Sequence, residues 1–543
     1  MKPRPSGPSR SPRAPAQTAR GMGGIGSSVQ LALRRWLVMP PVSVVALVAA
    51  VFFVQIQSAI PTLFDEDGYY HIKVAELTRQ NGVLQSFPWA AFTPFRDHFG
   101  DKEFLFHVFL VPFTRLDLVR GAKLATVVLD AAIVALSYYL LRVRRVRGAP
   151  LWMMLFIGAG SLFFWRMGQC RPHLGSILAV LTGLHLMARR RPIALALLAA
   201  VYALAYTASH VILILAMLAA VLHRRSHGRI AFELPLAALV GFVVGHLLHP
   251  NFPHNLLIWK IQNIDFYRFA WLQGILDLGP EIKPLPLSDY LRVHFLVLGL
   301  WLFIGAAALH RRQRVSYETA VFAIGGVAFG IMAYTGGRFT EYWIPLSCVA
   351  LPLLANDVGV GPADLMGHSA GRRTLAGMAA VFALSAYLGL REFTQFAHAS
   401  TPSKLAYDKS LRDIGGILAR EAPGEIVYHA AWSDAPALLL YNDKSHYLVM
   451  LDPIYFYYGD PYRYLLLRAI NAGGVLPAAV RPVAPPAFPE PVELLPTLRT
   501  QFNTRFVVAR LDFRRLIDAT RKTPGVIERY RSTQHVLFEL PRS

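Results

Sequence analysis

An α-helical polytopic membrane protein with a small C-terminal α/β domain is the fold class that this sequence predicts, and three observations predict it. Of the 543 residues 54% are apolar and only 16% charged, with a mean hydropathy of +0.39, more apolar matter than one soluble core takes up. The 29 residues from Trp36 to Phe64 carry no charge, against the roughly 20 that a helix needs to cross a bilayer. Beyond Thr401 the long apolar segments give way to short helix and strand patterns in alternation.

Taken in order, residues 1–35 form a basic tail rich in Pro, Ser and Gly, expected to be disordered and cytoplasmic. Its GMGGIGSS stretch at 21–28 reads as a linker, because no strand precedes it. The apolar run behind the tail is too long for a cleaved signal and reads as a first span. Apolar segments follow near 120–141, 148–165, 174–188, 193–206, 209–222, 231–248, 293–310, 317–335, 341–355 and 374–391. Arginine clusters separate them at Arg142–Arg147, Arg189–Arg191, Arg224–Arg229, Arg311–Arg314 and Arg372–Arg373, and by the positive-inside rule these face the cytoplasm. About eleven transmembrane helices result, in a bacterial-type inner (plasma) membrane. The transmembrane domain covers 36–392, with long outer loops at 58–119 and 249–292, and residues 393–543 form the extracytoplasmic α/β domain. The pair inside Pro192–Leu222 has to go out and return as short, broken helices. The net charge of +22 therefore orients a membrane protein and does not imply nucleic acid. Cys170 and Cys348 form neither a disulfide framework nor a metal spacing.

This sorting leaves the unusual polar residues on one side: Asp65, Asp67, Asp101 and Glu103 in the first loop, then Arg171 and His173, Glu281, and Arg338 with Glu341. A single carboxylate in a loop is ordinarily just solvated. Acids that recur beside membrane-apolar residues are different, since charge at that depth is costly unless paired or metal-bound. In FDEDGYYHIKVAELTRQNG the apolar Ile72, Val74, Ala75 and Leu77 have roughly helical spacing and Asn81-Gly82 is a stop, so Asp65 and Asp67 stand at a helix start. Acids there can be caps. They can also hold a hard divalent cation, Mg²⁺ or Mn²⁺, which takes one or two carboxylates plus substrate phosphate oxygens. A second acidic pair, Asp101 and Glu103, precedes FLFHVFLVPF, an embedded or re-entrant stretch, and the two pairs could meet. His71 and His107, each a few residues past an acidic pair, stand behind the acids, whereas His210 reads as an interfacial group.

The motif DEDGYYHI resembles the first outer loop of the oligosaccharyltransferase catalytic subunits of bacteria and archaea, which are GT-C fold glycosyltransferases. The resemblance implies a GT-C-like membrane region followed by an outer C-terminal domain. Asp67 then falls on the aspartate that binds the metal and helps to activate the acceptor. GPEIKPLP resembles a flexible loop whose glutamate reaches metal and acceptor, which implies that role for Glu281. GGRFTEYWIPL resembles the segment whose arginine contacts the lipid-linked pyrophosphate, which implies that role for Arg338. Two departures stand out. Where the family has a second Asp-x-Asp motif, MGQCRPHLGS offers Arg171 and His173. The Trp-Trp-Asp-Tyr-Gly motif is missing, HAAWSDAP with Trp432 and Asp434 being a distant echo, so asparagine glycosylation is not implied.

The chemistry follows without the family. Transfer of a glycosyl group from a polyprenyl phosphate or pyrophosphate leaves a phosphate whose charge a cation or an arginine must stabilise. An arginine fork grips phosphate oxygens in two places, so Arg338, with Arg171 and His173, is the donor-phosphate set. A general base has to reach the acceptor; Asp67 comes first, with Asp65 and Glu103 beside it and Asp101 in reserve. The metal set is Asp67 and Glu281, as the resemblance implies, with Asp101 from the second acidic pair. The partners are a polyprenyl-linked sugar donor, membrane lipid and an acceptor that is a glycan, a lipid or a protein. The competing class is a transporter or exporter of lipid-linked glycans, which would place ionisable residues mid-helix and show repeated halves. Here the charges gather at one face.

In the C-terminal part, strands are predicted at EIVYHAAW, HYLVMLD, RFVVARL, VIERYRS and HVLFELP, and helices at SKLAYDKSLRDIGGILAREAPG, APALLLYND, DPYRYLLLRAINAG, ELLPTLRTQF and FRRLIDATRK. The aromatic run IYFYYGDPYRY reads as core packing before it reads as a sugar or membrane surface.

Overall fold

The computed structural model describes residues 40–269, 275–276, 279–311, 314–365 and 369–542. The N-terminal tail and its glycine-rich stretch, expected to be disorder and linker, lie outside the described residues. Backbone in lipid has to satisfy its own hydrogen bonds, and among the described residues each of the eleven apolar segments contains helix. The chain runs through α1 (Val42–Ser58), α2 (Asp67–Asn81), α3 (Phe104–Leu110), α4 (Leu118–Val143), α5 (Ser161–Met167), α6 (His173–Ala188) and α7 (Pro192–Ala205). It continues through α8 (Val211–His227), α9 (Glu233–Leu247), α10 (His254–Lys260), α11 (Leu287–Arg311), α12 (Tyr317–Thr335), α13 (Thr340–Val358) and α14 (Ser369–Glu421). By length and composition α4, α11, α12 and α14 can each cross a membrane, and a bent pair at 149–167 makes a fifth span if taken as one. Other apolar helices, such as α1, α6, α7 and α9, are shorter. Leu47, Ile193, Leu197, Leu236, Leu302 and Leu309 are all exposed, an apolar outer belt that needs a lipid partner.

Local chemistry sets the breaks. The segment expected as one span at 148–165 is instead two helical pieces bent by 92°, because Gly160 between them takes φ +93°, a conformation that L side chains avoid. Asn81-Gly82 does end α2, with Gly82 at φ +75°. The chain between Pro192 and Leu222 breaks at Tyr206–His210 into α7 and α8. Gly241 and Gly245, one turn apart on α9, bring that helix onto α7: a Cβ on Gly241 would lie 2.1 Å from the Ala196 carbonyl oxygen, and one on Gly245 2.4 Å from that of Ala200. Small residues at this spacing let two membrane helices approach closely.

The basic clusters meet at one end of the bundle. There Arg144 pairs with Glu318, Arg190 with Glu233, and Arg147 with Asp364 at 3.2 Å. At the opposite end the first loop, the turn before α6 and the 3₁₀ turn before α13 come together under the C-terminal domain. The long helix α14, 53 residues or about 80 Å at 1.5 Å per residue, runs unbroken from the bundle into that domain.

The C-terminal domain continues with β1 (Ile426–His429), α15 (Ala435–Tyr441), β2 (His446–Tyr447), α16 (Pro453–Gly459), α17 (Pro461–Asn471), α18 (Leu494–Thr500), β3 (Thr504–Arg510), α19 (Arg514–Lys522), β4 (Ile527–Arg531) and β5 (His535–Glu539). The sheet order is β2-β1-β3-β5-β4, parallel for β2-β1-β3 and antiparallel for β3-β5-β4. Of the aromatic run, Tyr455, Phe456 and Tyr464 are buried core, while Tyr458 and Tyr462 reach the surface. The first loop docks on the sheet edge: Ala91 N–H donates to Tyr447 O at 2.8 Å and Tyr447 N–H to Trp89 O at 3.0 Å. Tyr69 of α2 donates to Asp408 of α14 at 2.9 Å, so the start of α2 is held from above and below.

Candidate active site

Asp67 is the first residue of α2, placed where the chain leaves α1 and turns. Arg171, in the turn between α5 and α6, reaches its carboxylate at 3.1 Å, that of Asp65 more closely, and that of Glu281 at 3.3 Å. Arg166, buried in the last turn of α5, donates to Glu281 and to Glu341 at 2.6 Å each. His173 Nε2 lies 3.7 Å from Glu341. Acids and guanidiniums thus alternate through Asp65, Arg171, Glu281, Arg166 and Glu341. Buried charges persist in such a place only when each has a partner, since removing one strands the other.

Three adjoining cavities share these walls. A polar one of about 90 Å³ is lined by Asp67, His71, Lys102, Glu103, Arg171 and Arg338, among others. An aromatic one of about 280 Å³ between α7, α8, α12 and α13 is lined by Tyr202, Phe329, Phe339 and Tyr342 and shares Tyr206 and Arg338 with the first. A third of about 580 Å³, under the C-terminal domain, is lined by Glu66, Trp165, Lys404, Trp432 and Arg510 and shares Asp67, Arg171 and Glu281 with the first. Arg338 therefore stands at the seam of the aromatic and polar cavities, and Asp67 at the seam of the polar cavity and the third.

The two carboxyls that meet here are driven in opposite directions. Burial pushes Asp67 up to about 7 against the pull of Arg171, with Asp65, Asp452 and Glu281 adding to the rise. Burial would raise Glu281 as well, but Arg171, Arg166 and Arg338 outweigh it and hold that carboxyl well below the ordinary range. Divergent environments of this kind separate a group able to exchange a proton near neutrality from one that stays ionised. Lys102 is raised despite burial, by Glu103, Tyr455 and Asp452.

Of the residues singled out from the sequence, Asp67, Glu103, Glu281, Arg171, His173 and Arg338 line the polar cavity and Asp65 the third one. Asp101 and Glu341 do not: Glu341 accepts from Arg166, and Asp101 Oδ2 accepts from His107 Nδ1 at 2.8 Å and its Oδ1 from the Glu103 N–H at 3.1 Å, behind the cavity wall. The expected set of Asp67, Asp101 and Glu281 therefore does not fit one Mg²⁺ or Mn²⁺ ion. Asp101 is spent on a histidine, and a guanidinium occupies the position between Asp67 and Glu281 that a cation would take. Among the described residues, His71, Glu103 and His107 are a group that could hold an ion. Arg166, Lys102, Tyr206 and Asp452 escaped the sequence reading. Arg166 alone carried a signal, a charge abutting an apolar run.

In sequence the chain matches no family model and no curated protein. In structure it is similar to the oligosaccharyltransferase of Archaeoglobus fulgidus in its apo form, at 13% identity over 88% of this chain and 70% of the other, with a TM-score of 0.57. It is equally similar to ArnT of Cupriavidus metallidurans bound to undecaprenyl phosphate, at 15% identity over 95% of this chain and 98% of that one, TM-score 0.57. The fold is that of the GT-C glycosyltransferases. A third GT-C structure, the mycobacterial arabinofuranosyltransferase AftD, matches 92% of this chain and 40% of its own at 13% identity, TM-score 0.51. The GT-C fold thus accounts for the multi-pass bundle and for loops gathered at one end.

Proposed function

We propose that this protein is a membrane glycosyltransferase that moves a sugar or glycan from a polyprenyl-phosphate-type lipid to an acceptor on the outer face of the membrane. The observation that carries the reading is Arg338 at the seam of an aromatic and a polar cavity. An amphipathic donor needs such a seam, with its chain among Tyr202, Phe329 and Tyr342 and its phosphate on the guanidinium. The ArnT structure, with undecaprenyl phosphate bound, supports a donor of this class on the GT-C fold. The acceptor enters from the third cavity and meets the donor at Asp67. An acceptor hydroxyl or amine attacks the anomeric carbon and gives its proton to the Asp67 carboxylate. The bond from that carbon to the phosphate oxygen breaks, and the phosphate leaves with its charge on Arg338. This single displacement inverts the anomeric centre. A carboxyl near 7 is well matched to the proton transfer at neutral pH. Arg171, itself paired with Glu281, holds Asp67 in place, and no step passes through a metal. The basic end of the bundle is assigned to the cytoplasm by its arginines, so that the site is extracytoplasmic.

Purified protein given a labelled polyprenyl-linked sugar should release free or transferred glycan, and Asp67→Asn should abolish this. Parental turnover in Asp67→Asn removes that residue from the mechanism.

A further inference from the structure

We infer that His71, His107 and Glu103 form a binding site for a divalent transition metal of the Zn²⁺ class, held from behind by Asp101. The site uses other ligands than the Asp67 cluster, although His71 and Glu103 line the same polar cavity, and it does not rest on the transferase reading.

One ligand atom from each of the three lies within 4.8 Å of the other two, and all three side chains are buried, at 3%, 0% and 3% exposure for His71, His107 and Glu103. Asp101 Oδ2 sits 2.8 Å from His107 Nδ1. An ionised carboxylate only accepts, so Nδ1 carries the proton and Nε2 keeps its lone pair. That arrangement of a histidine with its far nitrogen on a carboxylate is how metal-binding imidazoles are oriented. That Nε2 accepts a hydrogen bond from His71 Nδ1–H at 3.0 Å, and an ion seated between the two nitrogens replaces this bond once His71 takes the tautomer protonated at Nε2. Two nitrogens bound to one tetrahedral Zn²⁺ at about 2.0–2.1 Å lie about 3.3 Å apart, so the rings need to part by only a few tenths of an ångström.

Glu103 supplies the independent sign. Its Oε1 is 3.5 Å from the Lys102 ammonium, while its Oε2 is buried with no hydrogen-bond partner. A buried carboxylate oxygen left unmatched is costly, and this one belongs to the same group as the two imidazoles. Two nitrogens and one carboxylate oxygen suit Zn²⁺ or Co²⁺ and not Mg²⁺, which keeps near-octahedral oxygen ligands. His71 and Glu103 also line the polar cavity, so the fourth position of the ion opens towards it, the pattern of three protein ligands and an open side. Lys102, held also by Gln262 at 3.1 Å, and Arg171 are the cations nearby, and both lower the affinity.

The test uses the full chain without a histidine tag, purified in detergent, stripped with chelator and incubated with Zn²⁺ or Co²⁺ alone. Bound metal is measured by elemental analysis after desalting, and its geometry by Co²⁺ absorption. One ion per chain is expected, with strong tetrahedral-type Co²⁺ bands. Glu103→Gln and His107→Gln should lose it, and Asp101→Asn should weaken binding about 10–100-fold. His254→Ala, which breaks the His98–His254 ring pair stacked at 4.3 Å, should leave the stoichiometry unchanged. A parent that binds no ion, as it would if Glu103 holds a proton in place of a metal, overturns the inference. So does an ion retained equally by Glu103→Gln and His107→Gln. The parental Co²⁺ spectrum decides without any variant: weak octahedral bands also overturn it. None of these readouts requires turnover, so failure here is distinguishable from failure of the transferase reading.

Discussion

Arg171→Gln isolates the electrostatics of the site. The guanidinium faces the carboxylates of Asp65, Asp67 and Glu281 with only 17% of its side chain exposed. Glu281 keeps Arg166 at 2.6 Å when Arg171 is lost, so the damage falls on Asp65 and Asp67. Each pair at about 4 Å is worth roughly 4 kcal/mol at an effective dielectric of about 20, and removing one partner of a buried pair typically costs about 3–5 kcal/mol. The cost depends on pH, and its sign is fixed. Asp67 already titrates near 7, raised by burial from its ordinary value of 3.8, so the fold favours its protonated form. Stability is lost as pH rises from about 4 through 7. Without Arg171 the carboxyl should rise by a further 1–3 units, roughly, and the loss should continue to grow above pH 7. Denaturant unfolding in detergent, followed by tryptophan fluorescence at pH 6 and pH 8, is the assay. Arg171→Gln should lose about 3–5 kcal/mol at pH 8 and less at pH 6, and Asp67→Asn in the same chain should remove much of the difference. Equal losses at the two pH values, or a double variant less stable than Arg171→Gln, would refute the reasoning.

Turnover should rise about tenfold per pH unit below 7 and level off above it, as the Asp67 carboxylate forms; a flat profile between pH 5.5 and 7 excludes it as the base. Arg338→Lys keeps the charge and loses the fork, so binding of a fluorescent polyprenyl phosphate should weaken by about 1.5–3 kcal/mol, roughly 10–150-fold. Unchanged binding would take the phosphate away from Arg338. Gly241→Ala drives a methyl group into the Ala196 carbonyl 2.1 Å away and should destabilise the bundle by about 1–3 kcal/mol, read as earlier unfolding in a detergent thermal scan.

The sequence by itself determined the helices, because apolar runs in lipid have no other way to pair their backbone, and it determined their sorting, because arginines cluster at the end where Arg144, Arg147 and Arg190 find their partners. It also located the start and stop of α2 and the strands of the C-terminal sheet, which are local matters of capping, glycine and alternation. The break at Gly160 was not legible, since it depends on how closely α11 and α14 approach that glycine: a Cβ on Gly160 would stand 2.9 Å from Val293 O, and one on Gly389 2.8 Å from the Gly160 Cα. Which acids meet was likewise a tertiary decision. Asp67 and Asp101 stand in one loop with similar neighbours, yet one faces a guanidinium in a shared cavity and the other turns away to a histidine. Sequence spacing orders residues along one element, whereas charge pairing across α2, α5, α13 and the Pro280–Ile282 turn depends on how those elements pack.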